Sequence, residues 1–370
     1  MNKNACGLLE TPDNFFVDHL APLCSLLEIP IISSKIRCKL LYQNYYPEVD
    51  FILKKWSIPY LVENFSAVLY SFVPEPSFRT MLNEEQNKNP ENPLWSKPIR
   101  FVYHFHGCSD KGYHSEWIDP KGHFKDVDLL LLYGERIQKI LEEKALAHKP
   151  KESICIGNYR YIYYQKHKDF FDQKADRDIF SRFKKDRPIL FYAPTWEDAE
   201  KSCSFFQIPK KTFVELSEHF NILIKLHPNM TLKTKTHDPK KTLEKIHDYK
   251  QIPGLLVLPF YPLIYPLIER CSLYLGDYSS IGYDVLAFNK PMFFLNSNNR
   301  SLKDKGAHLF RCGHSIDLKD FKNLSKTLLS HLNKSTNLYF SIQKKTYQYA
   351  FGEDFSYDVL KKRLFSCVLK

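Results

Sequence analysis

The stretch Leu273-Tyr-Leu-Gly-Asp-Tyr-Ser-Ser-Ile-Gly-Tyr-Asp-Val-Leu-Ala-Phe288, continuing as Asn289-Lys-Pro-Met-Phe-Phe-Leu295, decides the fold. Leu273 to Leu275 is an apolar run that reads as a buried strand, stopped by Gly276-Asp277. Ile281, Val285 and Phe288 then recur at helical spacing, and Pro291 to Leu295 reads as the next strand. Strand, polar turn, helix, strand is the unit from which parallel sheets are built. A serine at a helix start caps free backbone N–H groups, and those groups together with the helix dipole also suit a phosphate. Ser279 and Ser280 are therefore either an anion cradle or the plain cap of an ordinary αβ unit.

The alternation continues upstream. Ile189 to Tyr192, Asn221 to Leu226 and Leu255 to Leu258 read as strands, and Thr212 to Phe220, Lys240 to Tyr249 and Leu263 to Arg270 as helices. In the first half, apolar runs at 29–32, 60–72, 99–105 and 127–133 are separated by polar turns. The last leads into an amphipathic helix carrying Ile137, Ile140 and Leu141, and then a short strand at 153–157. Residues 74–98, rich in Pro, Asn and charge, read as an exposed surface loop, with a lid as the alternative. The charged stretch 169–187 suits an interdomain link. A last amphipathic stretch fills 340–370.

The chain has 370 residues, 44% of them hydrophobic and 15% aromatic, enough for two packed domains and against global disorder. The net charge of +11 fits anionic partners. The lysine-rich run 233–245 reads as a solvated helix face. The 12 glycines and the lack of a Gly-x-Gly-x-x-Gly or Walker loop argue against a dinucleotide fingerprint or a P-loop ATPase. Nine scattered cysteines without Cys-x-x-Cys point to a reduced, cytoplasmic protein. There is no signal-peptide pattern and no apolar run of membrane-spanning length. Zincin and α/β-hydrolase motifs and metal-ligand sets are lacking. Basic and aromatic residues interleave at 166–174 without a recognisable nucleic-acid module, so no nucleic-acid partner is expected.

Four places carry candidate chemistry. His106 ends an apolar run and is followed by Gly107, which permits a sharp turn, and by Lys111, which can neutralise a phosphate. A pair of structural histidines, His104 and His106, is the plainer alternative. Lys225 and His227 share one strand face just before Pro228, a pattern that suits a diphosphate or, more plainly, a buried strand with a snorkelling lysine. Thr195, in Tyr192-Ala-Pro-Thr-Trp196, ends another strand and either caps, turns or touches a ligand. Asp277 and Asp284 flank the serines; Asp284 suits a ribose, and Asp277 either joins it or braces the turn. In open α/β sheets ligands bind beyond the C-terminal ends of strands, where all of these lie.

Taken in order, these pieces resemble the CDP-glycerol glycerophosphotransferase family, which primes and polymerises teichoic acids. The matching residues are His106-Gly107 with Lys111, Gly157-Asn-Tyr-Arg160, Pro194-Thr-Trp196, Lys225-Leu-His-Pro228, Asp277-Tyr-Ser-Ser280 with Asp284, and Lys290-Pro291. The chain departs from the family at Cys108-Ser109, Asp110, Tyr159 and Glu197, and the first hundred residues show no match. The resemblance implies a glycosyltransferase-B-like fold, two Rossmann-like domains with parallel sheets facing across a cleft. The expected domains are 1–165 on the acceptor side and 180–335 on the donor side, with a C-terminal helix in 340–370 packing back on the first. It implies His106 and His227 as catalytic residues. Lys111, Arg160, Thr195, Lys225, Asp277, Ser279, Ser280 and Asp284 would bind a CDP-linked alditol donor. The implied acceptor is a glycan or lipid-linked hydroxyl, with no metal or cofactor, and the implied location is the cytoplasm, including its anionic membrane face. A sugar transferase of the same fold and a nucleotide-binding relative without activity are the alternatives.

Overall fold

The computed structural model describes residues 4–9, 16–110, 119, 122–147, 149–197, 202–232, 238–332 and 338–369. Backbone contacts divide the chain into two units. The first comprises Met1–Cys108, Ser115–Lys166 and Tyr349–Lys370; the second comprises Ser109–His114 and His167–Gln348.

The first unit is built on seven parallel strands: β1 (Ala5–Leu8), β2 (Ile31–Ser33), β3 (Phe51–Leu53), β4 (Ala67–Tyr70), β5 (Arg100–His104), β6 (Leu129–Leu132) and β7 (Glu152–Cys155). Their order is β3-β2-β1-β4-β5-β6-β7. The chain therefore starts in the middle, steps outward to β3, returns to the other side of β1 and steps outward again. A parallel sheet is covered on both faces, so its strands read as unbroken apolar runs. β6 shows this plainly: it is Leu-Leu-Leu-Leu, buried throughout. The terminal helix Tyr357–Val368 packs against the helices Val17–Leu27 and Tyr159–Lys166 of this unit.

The second unit repeats the pattern with six strands: β8 (Ile189–Ala193), β9 (Asn221–Lys225), β10 (Leu255–Leu258), β11 (Leu273–Gly276), β12 (Met292–Asn296) and β13 (His314–Asp317). The order is β10-β9-β8-β11-β12-β13, again parallel. Its core joins Leu190, Tyr192, Ile222, Ile224, Leu273 and Leu275 of the sheet to Phe213, Leu216 and Tyr249 of the covering helices. Burying each aliphatic or Phe side chain of this kind contributes about 1.5–3 kcal/mol.

Several sequence expectations are refined. The run 60–72 is not one element: Ile58–Asn64 is helical, capped by Ser57, and only Ala67–Tyr70 enters the sheet. Residues 74–98 hold a helix, Phe78–Lys88, with Ser77 accepting from the N–H of Thr80 at its start, and a 3₁₀ turn, Pro93–Ser96. Much of the charged stretch 169–187 lies in the helix Lys168–Asp178, tied to the second unit by Arg270 with Asp172 and Asp176. No described helix is long and apolar enough to cross a membrane.

Candidate functional site

In each sheet the strand order reverses once, and that reversal opens a crevice where ligands of such folds bind. In the second unit it falls between β8 and β11. The loops leaving β8, β9 and β11 stand side by side there, because Ala193 pairs with Gly276 and Tyr192 with Ile224. They carry Thr195 and Trp196, His227, and Asp277 to Ser280, so three separate motifs meet at one sheet edge.

Asp277 holds this edge together. It is fully buried. Its Oδ1 accepts the backbone N–H of Thr195 at 2.7 Å, and its Oδ2 accepts the N–H and hydroxyl of Ser204 at 2.9 and 2.7 Å. Ser204 Oγ in turn lies 2.8 Å from the Tyr192 hydroxyl. The expectation of a donor-binding Asp277 is corrected: these bonds make it the brace of the turn, since they draw on both of its oxygens. The Trp196 and His227 rings stack with centroids 6.0 Å apart. His227 Nδ1 accepts the N–H of Asn229 at 3.2 Å, which places the proton of a neutral ring on Nε2, the side able to donate to an oxyanion.

The helix after the serines is shorter than its sequence spacing suggests. It runs only from Ile281 to Val285 before tightening to a 3₁₀ turn, and Ser280 makes no side-chain cap. The N–H groups of Gly282 and Tyr283 turn back to the carbonyls of Ser279 and Ser280. The expected cradle loses its dipole contribution, because one turn of helix sums few peptide dipoles. What it keeps is two hydroxyls, one buried and one half-buried. Asp284 is buried and accepts from the Tyr265 hydroxyl at 2.8 Å; Lys225 is 5% exposed at the end of β9. The ammonium of Lys290 donates to the Glu269 carbonyl. Lys111 lies outside the described residues.

In the first unit the reversal falls between β1 and β4, and His106 reaches it from β5. Its ring meets Phe16 edge-on at 5.2 Å and His19 at 6.3 Å, both from the segment after β1. The surrounding groups lower its pKa by desolvation, opposed by a hydrogen bond with the backbone of Ser71, the residue after β4. The side chain remains open to solvent, so it is crowded and not enclosed. Gly107 follows with φ of +131°, a conformation that side-chain-bearing residues rarely adopt. His104, by contrast, is fully buried, and desolvation drops its pKa to about 3. The pair thus divides: His104 is structural and His106 is accessible.

Arg160 is also corrected. It is 4% exposed, its Nε donates to the Asp18 carbonyl at 3.0 Å and its Nη2 is paired with the Asp18 carboxylate. Asp18 further accepts the Tyr46 hydroxyl at 2.5 Å. This buried pair fastens the helix Tyr159–Lys166 to Val17–Leu27 and is not arranged as a ligand site.

Sequence reasoning missed His19, whose Nδ1 lies 3.2 Å from the Tyr133 hydroxyl, and Ser204. It also treated Asp110 as an intruder. Asp110 is buried in the second unit, accepting from the Tyr283 hydroxyl at 2.6 Å and the Leu309 N–H at 2.8 Å. Nothing in local spacing signals these partners, which lie 73 to 199 residues apart. Among the described residues no cluster of three His, Cys, Asp or Glu suits a metal ion.

With two parallel-sheet α/β domains, each carrying its polar motifs at a strand-order reversal, the protein is of the glycosyltransferase-B-like class. Comparison with solved structures agrees. The wall teichoic acid polymerase TagF aligns with a TM-score of 0.62 at 13% identity, covering 99% of this chain and 90% of that one. The UDP-GlcNAc 2-epimerase from Neisseria meningitidis, bound to UDP-GlcNAc, aligns at 0.58 and 12% identity, covering 98% and 100%. The S. aureus MnaA–UDP structure aligns at 0.59 and 13%, covering 98% and 96%. No curated protein sequence matches the chain. Residues 162–307 match the family model of CDP-Glycerol:Poly(glycerophosphate) glycerophosphotransferase. The family resemblance read from the motifs is thereby borne out over that segment, which is similar to the CDP-glycerol glycerophosphotransferases.

Proposed function

We propose that the protein transfers glycerol phosphate, or a related alditol phosphate, from a CDP-linked donor to a hydroxyl of a glycan or lipid-linked acceptor. His106 takes the proton of the acceptor hydroxyl. The acceptor oxygen bonds to the phosphorus bearing the alditol, the bond from that phosphorus to the bridging oxygen breaks, and CMP leaves with the electron pair. His227 Nε2, Ser279, Ser280 and Lys225 hold the diphosphate, with Lys111 as a further counter-charge and Thr195 and Asp284 toward the nucleoside. Phosphoryl transfer needs chiefly positioning and charge neutralisation, which these groups supply without a covalent intermediate or a metal. The lowered pKa of His106 favours the neutral imidazole at pH 7, the form that accepts a proton.

The observation that carries this reading is the family match over 162–307, the segment containing the β8, β9 and β11 loops. Its location, in this proposal, is the cytoplasm, with peripheral attachment at the inner membrane face where a lipid-linked acceptor resides. A sugar-nucleotide transferase is the second reading, favoured by the structural likeness to a UDP-GlcNAc-bound epimerase. A donor screen by thermal shift separates the two, since a ligand that binds only the folded state raises its melting temperature. Selective stabilisation by CDP-glycerol supports the first reading. Stabilisation by UDP-sugars alone replaces it with the second.

A further inference from the structure

At the other end of the first unit's sheet lies a cavity of about 450 Å³. Its floor is formed where β5, β6 and β7 begin, at Ile99, Arg100, Asp128 and Glu152, and Arg79 and Leu82 of the helix Phe78–Lys88 form one wall. Trp95, in the 3₁₀ turn, and Lys97 complete it. The segment 74–98, read as a bare loop from composition, therefore builds much of this cavity. Along β5, Arg100 precedes His106 by six residues, which separates the cavity from the imidazole by roughly 20 Å. It is not part of the proposed transfer site.

Four cations line it, Arg79, Lys97, Arg100 and Lys151, against two carboxylates, Asp128 and Glu152. Asp128 is buried and already accepts from Arg79 and Lys151, each at 2.6 Å, and from the N–H of Phe101 at 2.8 Å. Arg100 is shared between Glu152 at 2.7 Å and the Cys367 carbonyl at 2.6 Å. Lys97 donates to the neutral carbonyl of Glu63 at 3.2 Å. The carboxylates are thus outnumbered, and an excess of positive charge faces a concave space. The Trp95 indole N–H is fixed to the Asn89 carbonyl at 2.9 Å, which holds a flat ring beside Val62, Leu82 and Ile99. Cations around an apolar and aromatic wall suit a ligand with a phosphate and a carbon skeleton, and the volume falls within the range of small-molecule sites.

We propose that this cavity is a second binding site, for a phosphorylated alditol or sugar, either free or as a unit of a phosphodiester chain. The proposal rests on the cavity's own chemistry and stands if the transfer reading fails. The test is tryptophan fluorescence and calorimetric titration of the full chain with glycerol 3-phosphate and with a short glycerol-phosphate oligomer. Saturable binding that weakens with added salt is expected, absent with uncharged glycerol. Lys97→Glu combined with Lys151→Gln should weaken it at least about tenfold with little change in melting temperature, because both lysines are exposed and Asp128 keeps Arg79 and the Phe101 N–H when Lys151 is changed. Trp95→Phe should remove the fluorescence change while calorimetry still reports binding. His106→Ala should leave binding intact, which separates this site from the transfer site. Tighter binding of the oligomer identifies the chain as the source; binding of the monomer alone identifies the free compound. Absence of saturable binding by both ligands, or binding that survives the charge changes, overturns the proposal.

Discussion

The two strand-order reversals are built differently. In the second unit the polar residues are bonded to one another: Asp277 gathers the Thr195 and Ser204 amides, and Ser204 meets Tyr192. In the first unit His106 stands at the edge among rings, open to solvent. A cross-braced edge holds donors in place before a ligand arrives, which lowers the ordering cost of binding. An accessible imidazole of lowered pKa suits a group that must take up and release a proton. On the proposed reading, the difference gives holding to one region and proton movement to the other.

That contrast can be broken from the structural side first. Arg160→Met leaves Asp18 buried without its cation and should cost about 3–5 kcal/mol in urea unfolding. Donor affinity should be unchanged; a selective loss of CDP-glycerol affinity at unchanged stability would return Arg160 to the donor site. Next, Asp277→Ala orphans the Thr195 and Ser204 amides. It should destabilise by about 1–3 kcal/mol per buried donor and weaken donor binding in parallel. Affinity that survives this change would show that the brace is not needed for holding.

Ser280→Ala should separate the two roles most cleanly. Its hydroxyl makes no cap, so stability should change by less than about 0.5 kcal/mol. Loss of a hydrogen bond to a charged diphosphate should still raise the donor KM by about 10–100-fold. An unchanged KM would remove Ser280 from the site.

The last expected effect concerns His104, the buried neighbour of His106. The folded-state pKa of His104, about 3, lies below the ordinary value of 6.5. The unfolded chain therefore binds the extra proton between these values, and stability is lost as pH falls. The slope should be about 1.4 kcal/mol per pH unit below 6.5, and His104→Leu should remove this component. Unfolding titrations between neutral pH and pH 5 check the sign.

Much of the architecture was legible because parallel strands buried on both faces leave unbroken apolar runs, as in Leu129 to Leu132 and Leu273 to Leu275. β1 and β3 were not: Ala5-Cys-Gly-Leu8 is broken by a glycine, and Phe51-Ile-Leu53 stands between Asp50 and Lys54 with no residue fully buried. The motif residues were found where they end strands, since a polar group after an apolar run is visible locally. Their roles were less visible. Nothing near Arg160 announces Asp18, 142 residues earlier, and nothing near Asp277 announces Ser204. The helix after Ser280 was overestimated because apolar spacing at 281, 285 and 288 cannot distinguish a full helix from one turn followed by a 3₁₀ turn.

Proton uptake by His106 is checked by following CMP formation from CDP-glycerol and a mixed pool of hydroxyl acceptors, with wild type and His106→Ala side by side. The wild type should release CMP, and release should fall about 10²–10⁴-fold in the variant at unchanged melting temperature. Undiminished release by His106→Ala, or no release by the wild type from any CDP-alditol, would contradict this reading.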